Sequence, residues 1–216
     1  MEIAIPLFDH FTALDAVGPY EVLSRLPGAR VDFLAAEPGI FRADTRMLAL
    51  SVERTFDDVP APDVLLVPGG IGSRTALADE RLLDWVRRAH EGSTYTTSVC
   101  TGALVLAAAG VLDAVEATTH WLAMDYLERL GARPVKERYV ERGKIITAAG
   151  VSAGIDMGLV LAERLAGADT AQTIQLAIEY DPHPPFDAGS PGKAPEEVVE
   201  RARAAQRSEE ATAAGT

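Results

Sequence analysis

With 216 residues, 48% of them hydrophobic, the chain has apolar mass for one large multilayered domain and too little length for two independent ones. Its 20 Lys and Arg against 32 Asp and Glu give a formal charge of −12, which argues against nucleic-acid binding, since that requires a basic face. A single cysteine excludes an internal disulfide and agrees with a reducing compartment.

Short β-branched runs alternate with Ala/Leu/Glu/Arg-rich amphipathic runs, which predicts an α/β fold: a mostly parallel sheet with helices on both faces. The first strand is expected over residues 3–8. Pro19, whose fixed φ suits a first helical position, marks the start of a helix that turns Tyr20, Val22 and Leu23 toward the core. Strands follow over 31–36 and 47–52. Val64-Leu-Leu-Val67 is apolar on both faces, as a central parallel strand must be, and it stops at Pro68-Gly69-Gly70. A helix over 79–91 ends at Gly92 and leads into a strand that turns at Cys100 straight into an Ala/Leu-rich helix. Thr119 is expected to cap a helix running to Leu130, with Gly131 as its left-handed terminator. Glu141-Arg-Gly-Lys144 has the composition of a hairpin turn and pairs 135–140 with 144–148 antiparallel. Helices over 154–166 and 169–178 come next, the second with Asp169 and Gln172 in capping-box positions. Residues 181–192, with four prolines, cannot be regular structure. A last amphipathic helix over 195–204 is expected to fray into a disordered end. The chain thus reads as one domain over 1–192 and a helical, flexible tail over 193–216.

The corner at Cys100 carries the chemical signal. A side chain there stands at the carboxyl end of a sheet strand, where open α/β folds place ligands, and its sulfur faces the positive end of the next helix. Both effects favour thiolate over thiol. Gly102 lets helix and strand pack around a tight elbow. A lone cysteine among Val and Ala is also, just as often, a small buried hydrophobe. The end of the first strand, the Pro68-Gly-Gly70 turn and the elbow converge on one sheet edge. The N–H groups of Gly69, Gly70 and Thr101 are therefore candidate donors to charge developing on a ligand, although a Gly-Gly pair alone simply ends a strand. Asp15, in Leu14-Asp-Ala-Val-Gly-Pro-Tyr20, is the candidate proton carrier; its ordinary role would be to cap the following helix. No His adjoins Cys100, where Thr101 stands instead. His120, near a predicted helix start, reads as structural, and His10, His90 and His183 fall in predicted surface segments without a role. There is no Cys-x-x-Cys, His-x-x-x-His or Asp/Asn-rich loop, so no metal is expected. Residues 1–7 lack the basic start of a secretory signal and no apolar run reaches roughly 18 residues, so a cytoplasmic protein with no membrane partner is expected.

Val67-Pro-Gly-Gly70, Thr97-Ser-Val-Cys-Thr-Gly102, Ala117-Thr-Thr-His-Trp121 and Gly150-Val-Ser-Ala-Gly-Ile-Asp156, in this order and spacing, resemble the PfpI-type superfamily related to class I glutamine amidotransferases. Leu14-Asp-Ala-Val-Gly-Pro19 and Glu179-Tyr-Asp-Pro-His-Pro-Pro-Phe-Asp-Ala-Gly-Ser-Pro191 are similar to its isocyanide-hydrating branch. The resemblance implies a flavodoxin-like sandwich with a nucleophile elbow, a homodimer, and addition of water to an isocyanide to give an N-substituted formamide. It implies Cys100 as nucleophile through a thioimidate, Asp15 as proton carrier, backbone donors at Thr101 and Gly70 beside Gly69, and no cofactor. Peptidase-like and glyoxalase-like members usually carry a His directly after the Cys and a Glu in the first-helix region. Thr101 and Asp15 occupy those positions here, which counts against an aldehyde-processing glyoxalase or deglycase. Regulators that share Ala-Thr-Thr-His-Trp append a basic helix-turn-helix region, for which the residues after Gly192 are too few. From a different class, the alternative is a ligand or redox sensor in which Cys100 is oxidised rather than turned over.

Overall fold

The computed structural model describes residues 1–214, with side chains through residue 208. Two compact units divide the chain, Met1–Glu179 and Tyr180–Thr216. The first begins with β1 (Glu2–Pro6), α1 (Ala13–Leu23) and β2 (Arg30–Ala35), followed by the hairpin β3 (Gly39–Arg42) and β4 (Ala49–Val52) and by β5 (Arg54–Thr55). Next come β6 (Val64–Val67), α2 (Ser73–Ala76), α3 (Glu80–Gly92), β7 (Tyr95–Val99), α4 (Gly102–Ala108), β8 (Glu116–Ala117) and α5 (Met124–Arg129). It ends with β9 (Arg133–Pro134), β10 (Tyr139–Arg142), β11 (Ile145–Ala148), α6 (Ala153–Ala166) and α7 (Ala168–Ala177). Seven strands make one sheet in the order β10-β11-β7-β6-β1-β2-β5, parallel except for the antiparallel edge strand β10.

Alternate side chains of a strand point to opposite faces, so each central strand feeds two cores. Ile3 and Ile5 of β1 and Val64 and Leu66 of β6 pack under α1, α6 and α7, with Val22, Leu161 and Ile174. Ala4, Leu65 and Val67 pack on the other face under α3, α4 and α5, with Trp85, Leu104 and Leu127. This double coverage is why 64–67 reads as an unbroken apolar run, and it is the mostly parallel α/β sandwich expected from the strand–helix alternation. In α3, Asp79 caps the first turn by accepting from the N–H groups of Arg81 and Leu82. Trp85 stacks on Phe56 at 4.8 Å and donates its indole N–H to the Val59 carbonyl.

Several local expectations change. The first helix begins at Ala13, and Pro19 lies inside it, where its missing N–H leaves the Asp15 carbonyl without an i+4 partner. The strand expected over 47–52 forms a separate hairpin with β3, outside the main sheet. The cap before α5 is His120, whose ring nitrogen accepts from Leu122 N–H and opens a 3-10 turn over Trp121–Ala123; the Thr119 hydroxyl goes elsewhere. Gly131, at φ 96, does end α5, and Gly143, at φ 59, turns β10 into β11. α7 begins after Gly167 without a side-chain cap, so Asp169 forms no capping box. In the second unit, residues 181–190 are exposed coil. The helix that follows, α8 (Glu196–Ala214), runs well past residue 204. What remains of the expected disordered end, residues 215 and 216, lies outside the described residues.

His90 is not a surface residue without a role. Its Nδ1 shares a hydrogen bond with Thr96 Oγ1 at 2.8 Å, and Thr96 Oγ1 meets Ser93 Oγ at 2.8 Å. Lys144 Nζ donates to the carbonyls of His90, Glu91 and Ser93, closing the C-terminus of α3 with a positive charge. Burial, then Lys144, holds the His90 imidazole below its ordinary 6.5. The folded state therefore sheds this proton first, and the stability it supplies is complete above about pH 6.5 and lost as the pH falls below it. His90→Gln should shrink the stability difference between pH 8 and pH 5.5 seen in urea unfolding; an unchanged difference would show that the network does not respond to protonation.

Candidate active site

The chain delivers three segments to the carboxyl edge of the sheet, after β1, β6 and β7, and they meet around Cys100. Leaving β7, Cys100 adopts φ 56, a left-handed conformation uncommon for a side-chain-bearing residue. Neighbours on both sides hold it there. Its N–H donates to the carbonyls of Ala148 at 3.1 Å and Ala149 at 2.9 Å, and its own carbonyl accepts from Thr119 Oγ1 at 2.8 Å. The next turn must be tight: a Cβ on Gly102 would lie 2.1 Å from the Val67 carbonyl oxygen, so α4 starts directly against the end of β6. The expected elbow is present, and Cys100 itself is 5% exposed.

Asp15 is fully buried in the first turn of α1, yet it does not cap that helix. Its Oδ2 accepts from Gly69 N–H at 3.0 Å, across 54 residues of sequence. The remaining bonds close a ring, in which Gly69 carbonyl accepts from Thr12 N–H at 2.9 Å and Thr12 carbonyl accepts from Asp15 N–H at 3.1 Å. Oδ1 has no protein group in hydrogen-bonding geometry, although the Cys100 thiol lies close enough for each group to perturb the other's ionisation. Gly69 is required by space, since a Cβ would stand 2.4 Å from Thr101 N and 2.9 Å from Asp15 Oδ2.

The Gly-Gly turn and Thr101 are brought together, but not as expected. Gly70 N–H donates to Thr101 Oγ1 at 2.9 Å, and the Thr101 hydroxyl returns a hydrogen bond to Gly70 carbonyl at 3.0 Å. The N–H groups of Gly69 and Gly70, expected to face a ligand, thus serve Asp15 and Thr101 and lock the turn onto the elbow. The donors aimed at the sulfur are the N–H groups of Val151 and Thr101. Val151 has φ 36, a genuine outlier for a β-branched residue, and nothing in a Gly150-Val-Ser-Ala-Gly154 sequence announces it. Arg138 fixes this loop: its carbonyl accepts from Ala149 N–H, and its guanidinium binds Asp156 at 2.5 Å and Ser152 Oγ at 3.1 Å.

Burial decides the charges. It pushes Asp15 up to about 7, against the hydrogen bond from Gly69 N–H and the influence of the nearby Cys100 thiol, with Asp44 adding to the rise. Burial, then the neighbouring Asp15 carboxylate, also holds the Cys100 thiol well above its ordinary value, against the pull of the Val151 and Thr101 N–H groups. The thiolate expected from the helix end is therefore not the resting form. A thiol beside a carboxyl that titrates near pH 7 takes its place. His120 packs its ring against Gly150 and is kept below its ordinary pKa by burial. Because its Nδ1 accepts from Leu122 at 3.4 Å, the neutral ring carries its proton on Nε2. Among the described residues no three His, Cys, Asp or Glu side chains converge as metal ligands, and no helix is long and apolar enough to cross a membrane.

Known proteins are similar to this chain in sequence and in fold. The isonitrile hydratase of Pseudomonas putida is 47% identical over 94% of this chain and 89% of its own length. The HTH-type transcriptional regulator CdhR of Pseudomonas aeruginosa is 30% identical over 82% of this chain, which spans about half (53%) of the regulator. A THiJ/PfpI family protein from Pseudomonas syringae superposes with a TM-score of 0.90 at 36% identity, covering 97% of this chain and 89% of that one. Drosophila melanogaster DJ-1beta superposes at 0.74 with 22% identity, covering 82% of this chain and 97% of that one, and shares the fold. Residues 1–164 match the DJ-1/PfpI family as a whole. On a match that runs from β1 into α6, the chain belongs to the DJ-1/PfpI family.

Proposed function

We propose that this protein is an isocyanide hydratase that works through a covalent thioimidate on Cys100. The observation that carries the reading is a nucleophile elbow whose thiol lies beside the buried Asp15 carboxyl, with Thr101 at the position after Cys100. The isonitrile hydratase similar over nearly the whole chain supplies the substrate class. The residues supply the chemistry. Ionised Asp15 accepts the thiol proton as Sγ attacks the isocyanide carbon, then passes that proton to the same carbon, leaving R–N=CH–S–Cys100. Water adds to this carbon as Asp15 takes one of its protons and hands it to the nitrogen, giving R–NH–CH(OH)–S–Cys100. Asp15 then carries the hydroxyl proton to sulfur as the C–S bond breaks, releasing R–NH–CHO and restoring the thiol. No proton is gained or lost overall, so no metal or organic cofactor is called for.

Assay of purified protein with an alkyl isocyanide and with methylglyoxal separates this reading from its rivals. Formamide formation supports it, aldehyde consumption supports a glyoxalase, and neither supports a sensor. A homodimer remains our expectation for the assembly: Ile40 and Met47 of the β3–β4 hairpin are 68% and 92% exposed, and residues 181–190 are exposed throughout in the single chain. Sedimentation should give a dimer for the intact chain, and a truncation after Tyr180 should lose dimer, activity or both. A fully active monomer in either form would remove the segment from the mechanism.

Cys100→Ala should abolish formamide formation while leaving the fold intact, because the nucleophile goes but little volume does. Cys100→Ser should be nearly inactive, since an alcohol gives its proton to a carboxylate far less readily than a thiol. Near wild-type turnover by Cys100→Ala would sink the covalent mechanism.

Asp15→Asn should lower kcat by about 10²- to 10⁴-fold, the usual contribution of a general acid-base group. It should also stabilise the protein at high pH. The unfolded chain ionises Asp15 near 3.8 and the folded chain near 7, so wild-type stability falls as pH rises through that window. The full loss is about 4 kcal/mol and is complete above it. Chemical unfolding of the variant should therefore show a gain over wild type that grows from pH 5 to pH 8. Loss of stability at both pH values with kcat spared would make Asp15 a structural residue.

A further inference from the structure

Resting on the reading of Asp15 as proton carrier, the geometry points to Asp44 as a positioning residue for it, acting through Thr12. Thr12 occupies the cap position of α1, but its hydroxyl makes no cap. It turns instead to Asp44 and donates to Oδ2 at 2.7 Å. The same residue is a member of the ring that holds Asp15, giving its N–H to Gly69 carbonyl and accepting from Asp15 N–H. Asp44 is anchored in turn, since its N–H donates to Phe11 carbonyl at 2.9 Å and its Oδ1 accepts from Thr45 N–H at 2.7 Å. One carboxylate on the loop after β3 thus sets the entry angle of α1, and with it the direction of the Asp15 side chain.

The arrangement also brings a negative charge toward a buried carboxyl. Of the groups packed around Asp15, Gly69, Gly70 and Thr101 are uncharged, and Cys100 rests as a thiol. α6 presents Ile155 to Gly18 of α1, and its Asp156 is paired with Arg138. Arg42 and Arg46 lie on Asp44's own hairpin loop, where the Arg42 guanidinium binds the Arg46 carbonyl. Asp44 is the anion that Asp15 feels. Hydration by this route needs Asp15 ionised before it can take the thiol proton, so kcat/KM should rise with pH along a limb whose position Asp44 shifts upward.

Asp44→Asn keeps an acceptor for Thr12 and loses the charge. The rising limb should move to lower pH by about half a unit, the order of effect of one partly screened charge on a buried carboxyl. Thr12→Val keeps the charge and loses the tether, so kcat should fall about tenfold with the limb in place, and Thr12→Ser should restore it. Carbon-13 NMR titration of the Asp15 carboxyl, identified by its absence in Asp15→Asn, should report the same downward shift in Asp44→Asn without any substrate. An Asp15 titration that is the same in wild type and Asp44→Asn, with Thr12→Val as active as wild type, overturns the proposal. Wild-type protein that fails to hydrate isocyanides while the NMR shift is present overturns the functional reading and leaves Asp44's hold on Asp15 standing.

Discussion

A single hydrogen bond between segments far apart in sequence organises the site: Gly69 N–H to Asp15 Oδ2. It is short in space and long in sequence, so it can form only when β1 and β6 lie side by side and the chain between β1 and β2 crosses over as α1. The bond also solves a physical problem. A carboxyl with no exposed surface must be satisfied or neutral, and one oxygen bonded to a backbone N–H, with the other left without a hydrogen-bonding protein group, is a compromise between the two. That compromise keeps the group near neutrality, where either protonation state is accessible.

The strain around the sulfur belongs to the same design. Cys100 at φ 56 and Val151 at φ 36 are both conformations that the chain would not adopt unaided. Each costs on the order of 1–3 kcal/mol, and each is held by hydrogen bonds from several elements: Ala148 and Ala149 with Thr119 on Cys100, and Arg138 around Val151. What the strain delivers is two converging N–H groups at one sulfur, a geometry that a relaxed strand end does not offer. The stability of the two cores, which bury residues such as Trp85, Leu104, Ile5 and Leu161 completely, is what lets the site carry this burden.

Much of this was legible in the sequence, and the failures share a cause. Period-2 and all-apolar runs announced β1, β6 and β7, and the Cys-Thr-Gly102 corner announced the elbow, because strand patterning and glycine sterics are local. The start of α1 was misplaced at Pro19 because local propensity favours Pro in the first turn, while packing of Ala16, Val22 and Leu23 against the sheet extends the helix through it. The Gly69 and Gly70 donors were assigned outward since the sequence cannot say that Asp15 and Thr101 will claim them. Val151 and Asp44 were invisible for the same reason: one acts by a backbone angle and the other by a contact 32 residues away. The thiolate expected from the helix end was wrong in sign because burial and a neighbouring carboxylate outweigh the dipole of so short a helix.

The absence of a histidine next to Cys100 then has a physical sense. A His beside the thiol would draw the proton off the sulfur at rest and store it as imidazolium, which suits substrates that need a preformed thiolate. The hydration proposed for this site needs the opposite, a proton that leaves sulfur and reaches the attacked carbon within one encounter. A buried carboxyl balanced near 7 can take the proton and release it again, because neither of its states is far downhill from the other. Thr101 carries no ionisable group to compete for that proton and instead locks the turn that holds Asp15 in place. In the proposed cycle one carrier, returned to its starting charge after each transfer, is sufficient for a hydration that consumes no net acid or base.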